Sequence, residues 1–370
     1  MIDGSLPERV RRLCRCLCKF SFCVLRHCGA SMSCYIRLVR NLLHRWARSA
    51  RYWLARRSRP LRRVGWIQGT FRTAHRSSVT QASGRQSRNY CLYVPSGLTT
   101  TDTVPLLVML HGCRQDGQTL ATGTRMNTLA DRHRFIVLYP EQSLRANPLR
   151  CWRWFDRDTL DGAGEAALIA ALIKRTVSRY PIDASRVYIA GISAGGAMAG
   201  VLAYCYGAMF AACAIASGVM YRGAESLKEA LAVMRRGSRA APDSVARQAA
   251  QNSSGCVAFV PALVIHGDDD STVHPRNAEQ IVEQLRAFAQ HLDSSSSPLT
   301  ESPELRLSST ARSYRQRDYL HHKRILLRKI IVEGMGHAWS GGDERHPFND
   351  AAGPDASRLI WDFVSMFRRA

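Results

Sequence analysis

The sequence has no run of eighteen or more apolar residues, so no segment is long and apolar enough for a bilayer-crossing helix. Acidic charge is scarce: 29 Asp and Glu stand against 52 Lys and Arg, a formal net charge of +23. Spread over the chain, that imbalance would point to nucleic acid, but it is concentrated at one end. Residues 1–64 hold 16 of the basic side chains against Asp3 and Glu8, which gives this segment +14 and the other 306 residues only +9. The excess marks a basic arm, and nucleic acid is not the expected partner. Metal-ligand spacing is also missing, because the C-x-C-x-C run at Cys14, Cys16 and Cys18 is followed by no matching Cys or His pair at zinc-finger distance. No G-x-G-x-x-G opens the first strand and no Lys follows the glycine-rich stretch, which excludes a phosphate-cradling loop. A clean secretory leader is absent as well: Phe20 to Leu25 is too short an apolar core, and Arg26 interrupts it.

What is present is an ordinary globular composition, 46% hydrophobic and 22% charged over 370 residues, enough for a sizeable core. The arm, residues 1–63, carries Ile36, Val39, Leu42, Leu43, Trp46, Trp53 and Leu54 at helical spacing among arginines. That pattern predicts a basic amphipathic helix suited to an anionic membrane surface or polymer granule. From Tyr90 onward, short apolar runs (90–95, 106–110, 135–139, 187–191, 212–217, 262–266 and 325–333) alternate with helical stretches (117–131, 164–180, 194–206, 276–290 and 355–367). Strands apolar on both faces, alternating with helices, predict one α/β domain over residues 64–370 with a mostly parallel sheet flanked by helices. Residues 221–255 are helical but polar and predict a cap-like excursion. Residues 293–313, rich in Ser and Pro, predict a flexible loop.

GISAGG, 191–196, follows a strand and opens a helix of small residues. G-x-S-x-G at such a junction is the nucleophile elbow: the turn holds the serine in a strained conformation, and the glycines leave room for neighbouring backbone. Ser193 is the candidate nucleophile. The first N–H of the following helix, at Ala194, can donate to an oxyanion, and the helix dipole favours negative charge there. A second donor is expected from LHGC, 110–113, at the end of an earlier strand: Cys113 by preference, Gly112 as the alternative.

A neutral serine needs a base of near-neutral pKa, itself oriented by a carboxylate. On a nucleophile elbow the chain order is Ser, then Asp or Glu, then His. Among the late histidines, His321 and His322 lie in a charged turn and His346 precedes Pro347, whereas His337 sits in a glycine-rich loop after the last strand. His337 is therefore the candidate base, and His266, ending its strand, reads as a buried supporting histidine. The acid falls in HGDDDSTV, where Asp268, Asp269 and Asp270 are equally eligible on order and position alone.

Taken together, HGC (111–113), YPEQ (139–142), CWRWF (151–155), GISAGGAM (191–198), HGDDDSTVHPRN (266–277), GHAWSGG (336–342) and GPDAS (353–357) resemble the esterase family of poly(3-hydroxybutyrate) depolymerases and related feruloyl and acetylxylan esterases. The resemblance spans about residues 64 to 370 and implies an α/β-hydrolase fold. It implies ester hydrolysis through an acyl-enzyme with Ser193 as nucleophile, His337 as base, Asp270 as acid, and no metal or organic cofactor. The implied substrates are polyester oligomers or small esters, with feruloyl, acetylxylan-type or short-chain esters as alternatives and a non-catalytic binding module as a different class. The family is often exported, and a cytoplasmic location is the alternative in view of the N-terminus. Trp339, two residues beyond the base, is expected to wall the substrate pocket, with Trp152 and Trp154 on the same edge. Cys113 and Cys151 either form a disulfide at that edge or remain two buried thiols.

Overall fold

The computed structural model describes residues 60–369 apart from 62, 74–85, 252–257, 294–296 and 309–310. The basic arm and its amphipathic helix lie outside the described residues. The globular unit begins at Pro60 rather than residue 64, because Leu61 N–H donates to Leu98 O and Pro60 bridges to Thr99.

Among the described residues, eleven strands form one sheet. In chain order they are β1 (Gly65–Thr73), β2 (Gln86–Val94), β3 (Val104–Leu110), β4 (Ile136–Glu141), β5 (Ile182–Ile192), β6 (Ala212–Ala216), β7 (Ala262–Gly267), β8 (Thr300–Glu301), β9 (Leu305–Ser308), β10 (Ser313–His321) and β11 (Arg324–Val332). The spatial order is β1-β2-β4-β3-β5-β6-β7-β11-β10-β8, with β9 pairing on β10. All neighbours from β4 to β11 are parallel, and the strands outside that run are antiparallel. The order turns back at β3, which lies between β4 and β5, so the switch point, where open sheets of this kind place their sites, falls beyond the carboxyl ends of β3 and β5.

The central strands are buried on both faces, and their alternation divides the core in two. Leu106, Val108 and Leu110 of β3 join Val187 and Ile189 of β5 in one cluster, while Leu107 and Met109 join Tyr188, Ala190 and Ile192 in the other. Helices α3 (Gly164–Arg179), α4 (Ala194–Cys205) and α7 (Arg276–Leu292) cover the first face; α1 (Gly117–Thr124), α2 (Met126–His133) and α8 (Ala356–Val364) cover the second. Residues 194–204 of α4 are all buried, as expected of a helix apolar on every side.

Differences from the sequence expectations have local causes. The stretch 117–131 is two helices, separated by Arg125 in the left-handed region at φ 54°. The 221–255 excursion contains α5 (Leu227–Arg236) and α6 (Pro242–Gln251), and Met234 O of α5 accepts from His274 N–H. The 293–313 segment, expected as a flexible loop, contributes β8 and β9 to the sheet, so that reading is corrected. These edge strands are held by cross-strand ion pairs, Arg317 to Glu301 at 3.1 Å among them, with Arg328 gripping Asp318 at 2.6 Å on the adjacent pair.

Candidate active site

Ser193 sits between β5 and α4 with φ 58° and ψ −123°, a backbone conformation that costs a non-glycine residue about 1–3 kcal/mol and persists only where surroundings impose it. The surroundings are close backbone contacts. A Cβ on Gly191 would lie 2.2 Å from Gly195 O, and one on Gly195 would lie 2.1 Å from Leu110 O. Only glycine lets the turn close this tightly and lets α4 press on the end of β3. Ser193 N–H is anchored to Ala216 O at 2.9 Å, which ties the turn to the end of β6.

Two loops converge on that hydroxyl. His337 Nε2 lies 3.0 Å from Ser193 Oγ, and His337 Nδ1 lies 2.7 Å from Asp270 Oδ2. The other oxygen of Asp270 accepts the N–H groups of Thr272 at 3.0 Å and Val273 at 2.8 Å. Burial alone would push this carboxyl up, but hydrogen bonds from His266, His337 and Val273 outweigh it and hold Asp270 well below the usual carboxylate range. Asp268 has a different role: its Oδ1 accepts Gly334 N–H at 2.7 Å, and its Oδ2 lies 3.4 Å from Arg315. Asp269 is exposed, and its N–H donates to Met335 O at 3.2 Å. The first two aspartates thus stitch the acid loop to the loop bearing His337, while the third meets the imidazole.

The HGC turn packs against the serine: a Cβ on Gly112 would lie 3.3 Å from Ser193 Cβ. Gly112 N–H is occupied by Gln115 Oε1 at 2.9 Å, so it is not free to meet an oxyanion. The N–H groups of Cys113 and Ala194 have no acceptor among the described residues, and that of Ala194 belongs to the first turn of α4, where no intrahelical partner exists. Cys113 is bonded to Cys151 across 38 residues, fixing this turn to the loop after β4.

Sequence reasoning did not identify the groups that hold the HGC turn as such, although three of its motifs contain them. His111 is fully buried; its Nδ1 donates to Gly112 O at 2.8 Å, and its Nε2 accepts Gln142 N–H at 3.0 Å. Burial lowers its pKa to about 4, so the ring is neutral at physiological pH. Trp152 Nε1 donates to His111 O at 2.9 Å, and Gln142 is gripped in turn by Arg88 and Glu165. Gln142 belongs to YPEQ and Trp152 to CWRWF; nothing in the sequence signalled Arg88.

Trp339, expected to wall a pocket, is instead buried. Its side chain is only 2% exposed, its Nε1 donates to Ser357 Oγ at 3.1 Å, and the ring belongs to the buried cluster on the second face of the sheet. Trp152 and Trp154 are buried too.

A family model described as Esterase PHB depolymerase matches residues 88–302. Poly(3-hydroxyalkanoate) depolymerase C of Paucimonas lemoignei is 36% identical over 199 residues, 53% of this chain and 47% of that protein. Feruloyl esterase B of Neurospora crassa is 34% identical over 200 residues, 52% of this chain and 67% of that protein. The matched region thus spans about half the length of the depolymerase. Among solved structures, the acetyl xylan esterase from Aspergillus awamori superposes with a TM-score of 0.59 at 22% identity, covering 80% of this chain and 99% of that one. That likeness carries the α/β-hydrolase fold.

Proposed function

The chain belongs to the Esterase PHB depolymerase family, and from that premise we propose that it hydrolyses carboxylic esters through an acyl-enzyme formed on Ser193. One observation carries the proposal: an unbroken hydrogen-bonded chain from Asp270 through His337 to a strained serine. His337 Nδ1–H points at the ionised Asp270, so its Nε2 bears the lone pair that faces Ser193 Oγ. As Oγ attacks the ester carbonyl, its proton passes to Nε2, and the resulting imidazolium is stabilised by Asp270. The carbonyl oxygen becomes an oxyanion within reach of Cys113 and Ala194 N–H, where fixed donors are worth roughly 10²–10³ in turnover each. The imidazolium then protonates the departing alkoxide as the C–O bond breaks. Water repeats the sequence, releasing the acid and restoring Ser193.

Ser193→Ala tests the reading directly: ester turnover should vanish while the chain still folds, and full activity in that variant would overturn it. The depolymerase and feruloyl esterase relatives support two substrate classes, hydroxyalkanoate oligoesters and hydroxycinnamoyl esters, with the former preferred here on the higher identity. Comparing turnover of a hydroxybutyrate oligomer, a feruloyl ester, short-chain p-nitrophenyl esters and the corresponding anilides separates these classes from one another and from a peptidase. A purely binding role is disfavoured by the assembled Asp270–His337–Ser193 chain. The Cys113–Cys151 bond favours an oxidising compartment and hence export. Contact of the basic arm with an anionic membrane or granule surface is a further proposal, resting on its sequence pattern alone.

A further inference from the structure

β7 reads Ala-Leu-Val-Ile before it reaches His266, and every residue of the strand is buried. A fully buried imidazole in such a strand costs about 1–3 kcal/mol for each polar atom left unpaired, where a leucine would cost nothing of the kind. One of its two nitrogens is left so: His266 Nδ1 has no partner among the described residues. The other is engaged. Nε2 lies 2.7 Å from Val273 O and 3.4 Å from Asp270 Oδ2. A nitrogen that close to a carbonyl must carry a proton, so the tautomer is fixed with its N–H directed at the turn 270–273.

That turn is closed from two sides. From within, Asp270 Oδ1 accepts Thr272 and Val273 N–H; from beneath, His266 Nε2–H holds Val273 O and flanks the oxygen that receives His337. We infer that His266 is a positioning residue for ester hydrolysis, latching the turn so that Asp270 Oδ2 stays in line with His337 Nδ1. His266 touches neither substrate nor Ser193. It acts through Asp270, and the inference rests on the catalytic roles proposed above for Ser193, His337 and Asp270.

The test compares His266→Leu, which removes the donor, with His266→Gln, whose amide N–H can take the place of Nε2–H, each normalised by active-site titration with an organophosphonate. His266→Leu should lower kcat by about 10–100-fold, the range expected when a reacting group is misplaced by up to about an ångström, with KM within about twofold. His266→Gln should recover most of the turnover. Parental kcat per titrated site in His266→Leu would overturn the inference, as would a lowered kcat that His266→Gln does not recover. If His266→Leu does not fold, His266→Asn, whose amide is too short to reach Val273 O, replaces it: impaired turnover beside an active Gln variant supports the latch, and equal turnover refutes it. Ser193→Ala, run alongside, separates the two levels. Activity there overturns the hydrolase reading itself, whereas its inactivity beside an unaffected His266→Leu overturns only the latch.

Discussion

Replacing Asp270 by Asn keeps the shape of the side chain and reverses what one of its atoms does. The two backbone donors at Thr272 and Val273 demand an acceptor at the Oδ1 position, so the amide oxygen of the new side chain takes that place and its NH2 replaces Oδ2. An N–H donor then stands 2.7 Å from His337 Nδ1 and can be met only by a lone pair there. The single proton of the neutral imidazole is driven to Nε2, where it faces Ser193 Oγ and can no longer accept the hydroxyl proton. Loss of the base by a trapped tautomer costs about 10⁴ in turnover, equivalent to about 5 kcal/mol of barrier. Steady-state hydrolysis of a p-nitrophenyl ester, with concentrations set by active-site titration, measures it. KM should change little, since no substrate contact is lost. Asp269→Asn, at an exposed side chain, should stay within about twofold. If Asp270→Asn kept more than a tenth of parental turnover, or if Asp269→Asn were the more damaging, the tautomer argument and the register of the acid loop would both be wrong.

Other consequences follow from the supporting structure. His111 has a folded pKa of about 4 against an ordinary 6.5, so between those values the unfolded chain binds a proton that the folded one refuses. Its contribution is fully present above pH 6.5 and declines toward pH 4, by up to about 3 kcal/mol; urea unfolding at pH 5 and pH 7 should show this slope, and His111→Asn should flatten it. Cys151→Ser opens a loop closed across 38 residues and should cost about 4 kcal/mol by loop entropy, roughly 6 °C in melting temperature; an unchanged melt would show that the bond contributes nothing. Trp339→Phe removes a buried indole and its bond to Ser357, so thermal unfolding should report a loss of about 1–3 kcal/mol. The preference among acyl chain lengths should not change in that variant, and a shifted preference would return Trp339 to the pocket wall.

Much of the fold was legible because the central strands announce themselves. LLVML and ALVIH are apolar at nearly every position since helices cover both faces of a parallel sheet, and the glycines around Ser193 mark a strand-to-helix turn. β10 escaped because Ser-Tyr-Arg-Gln-Arg-Asp lies near the edge of the sheet, where its partners are charges such as Arg328 and Glu301 and leave no apolar alternation to read. The burial of Trp339 was not legible for a related reason. Sequence proximity to His337 keeps its backbone near that loop, but the side chain after a loop residue can turn either way, and Ser357, eighteen residues further on, supplies the partner that draws it inward.

The sequence by itself determined the class of fold, the serine on its elbow and the order in which the candidate base and acid follow it, because each depends on local pattern or on chain direction. Its motifs also carried the choice of Asp270 among three adjacent aspartates, but only by resemblance. The tertiary structure decided the physical division of labour: Asp270 is the carboxylate over His337, Asp268 accepts Gly334 N–H, and Asp269 faces solvent. It also decided that Gly112 N–H is occupied by Gln115, that Cys113 and Cys151 are bonded, and that His266 lies under the acid turn. These are matters of short distances and of hydrogen-bond direction between segments far apart in the chain. Only the closed packing of sheet, glycine turns and loops brings such segments within reach of one another.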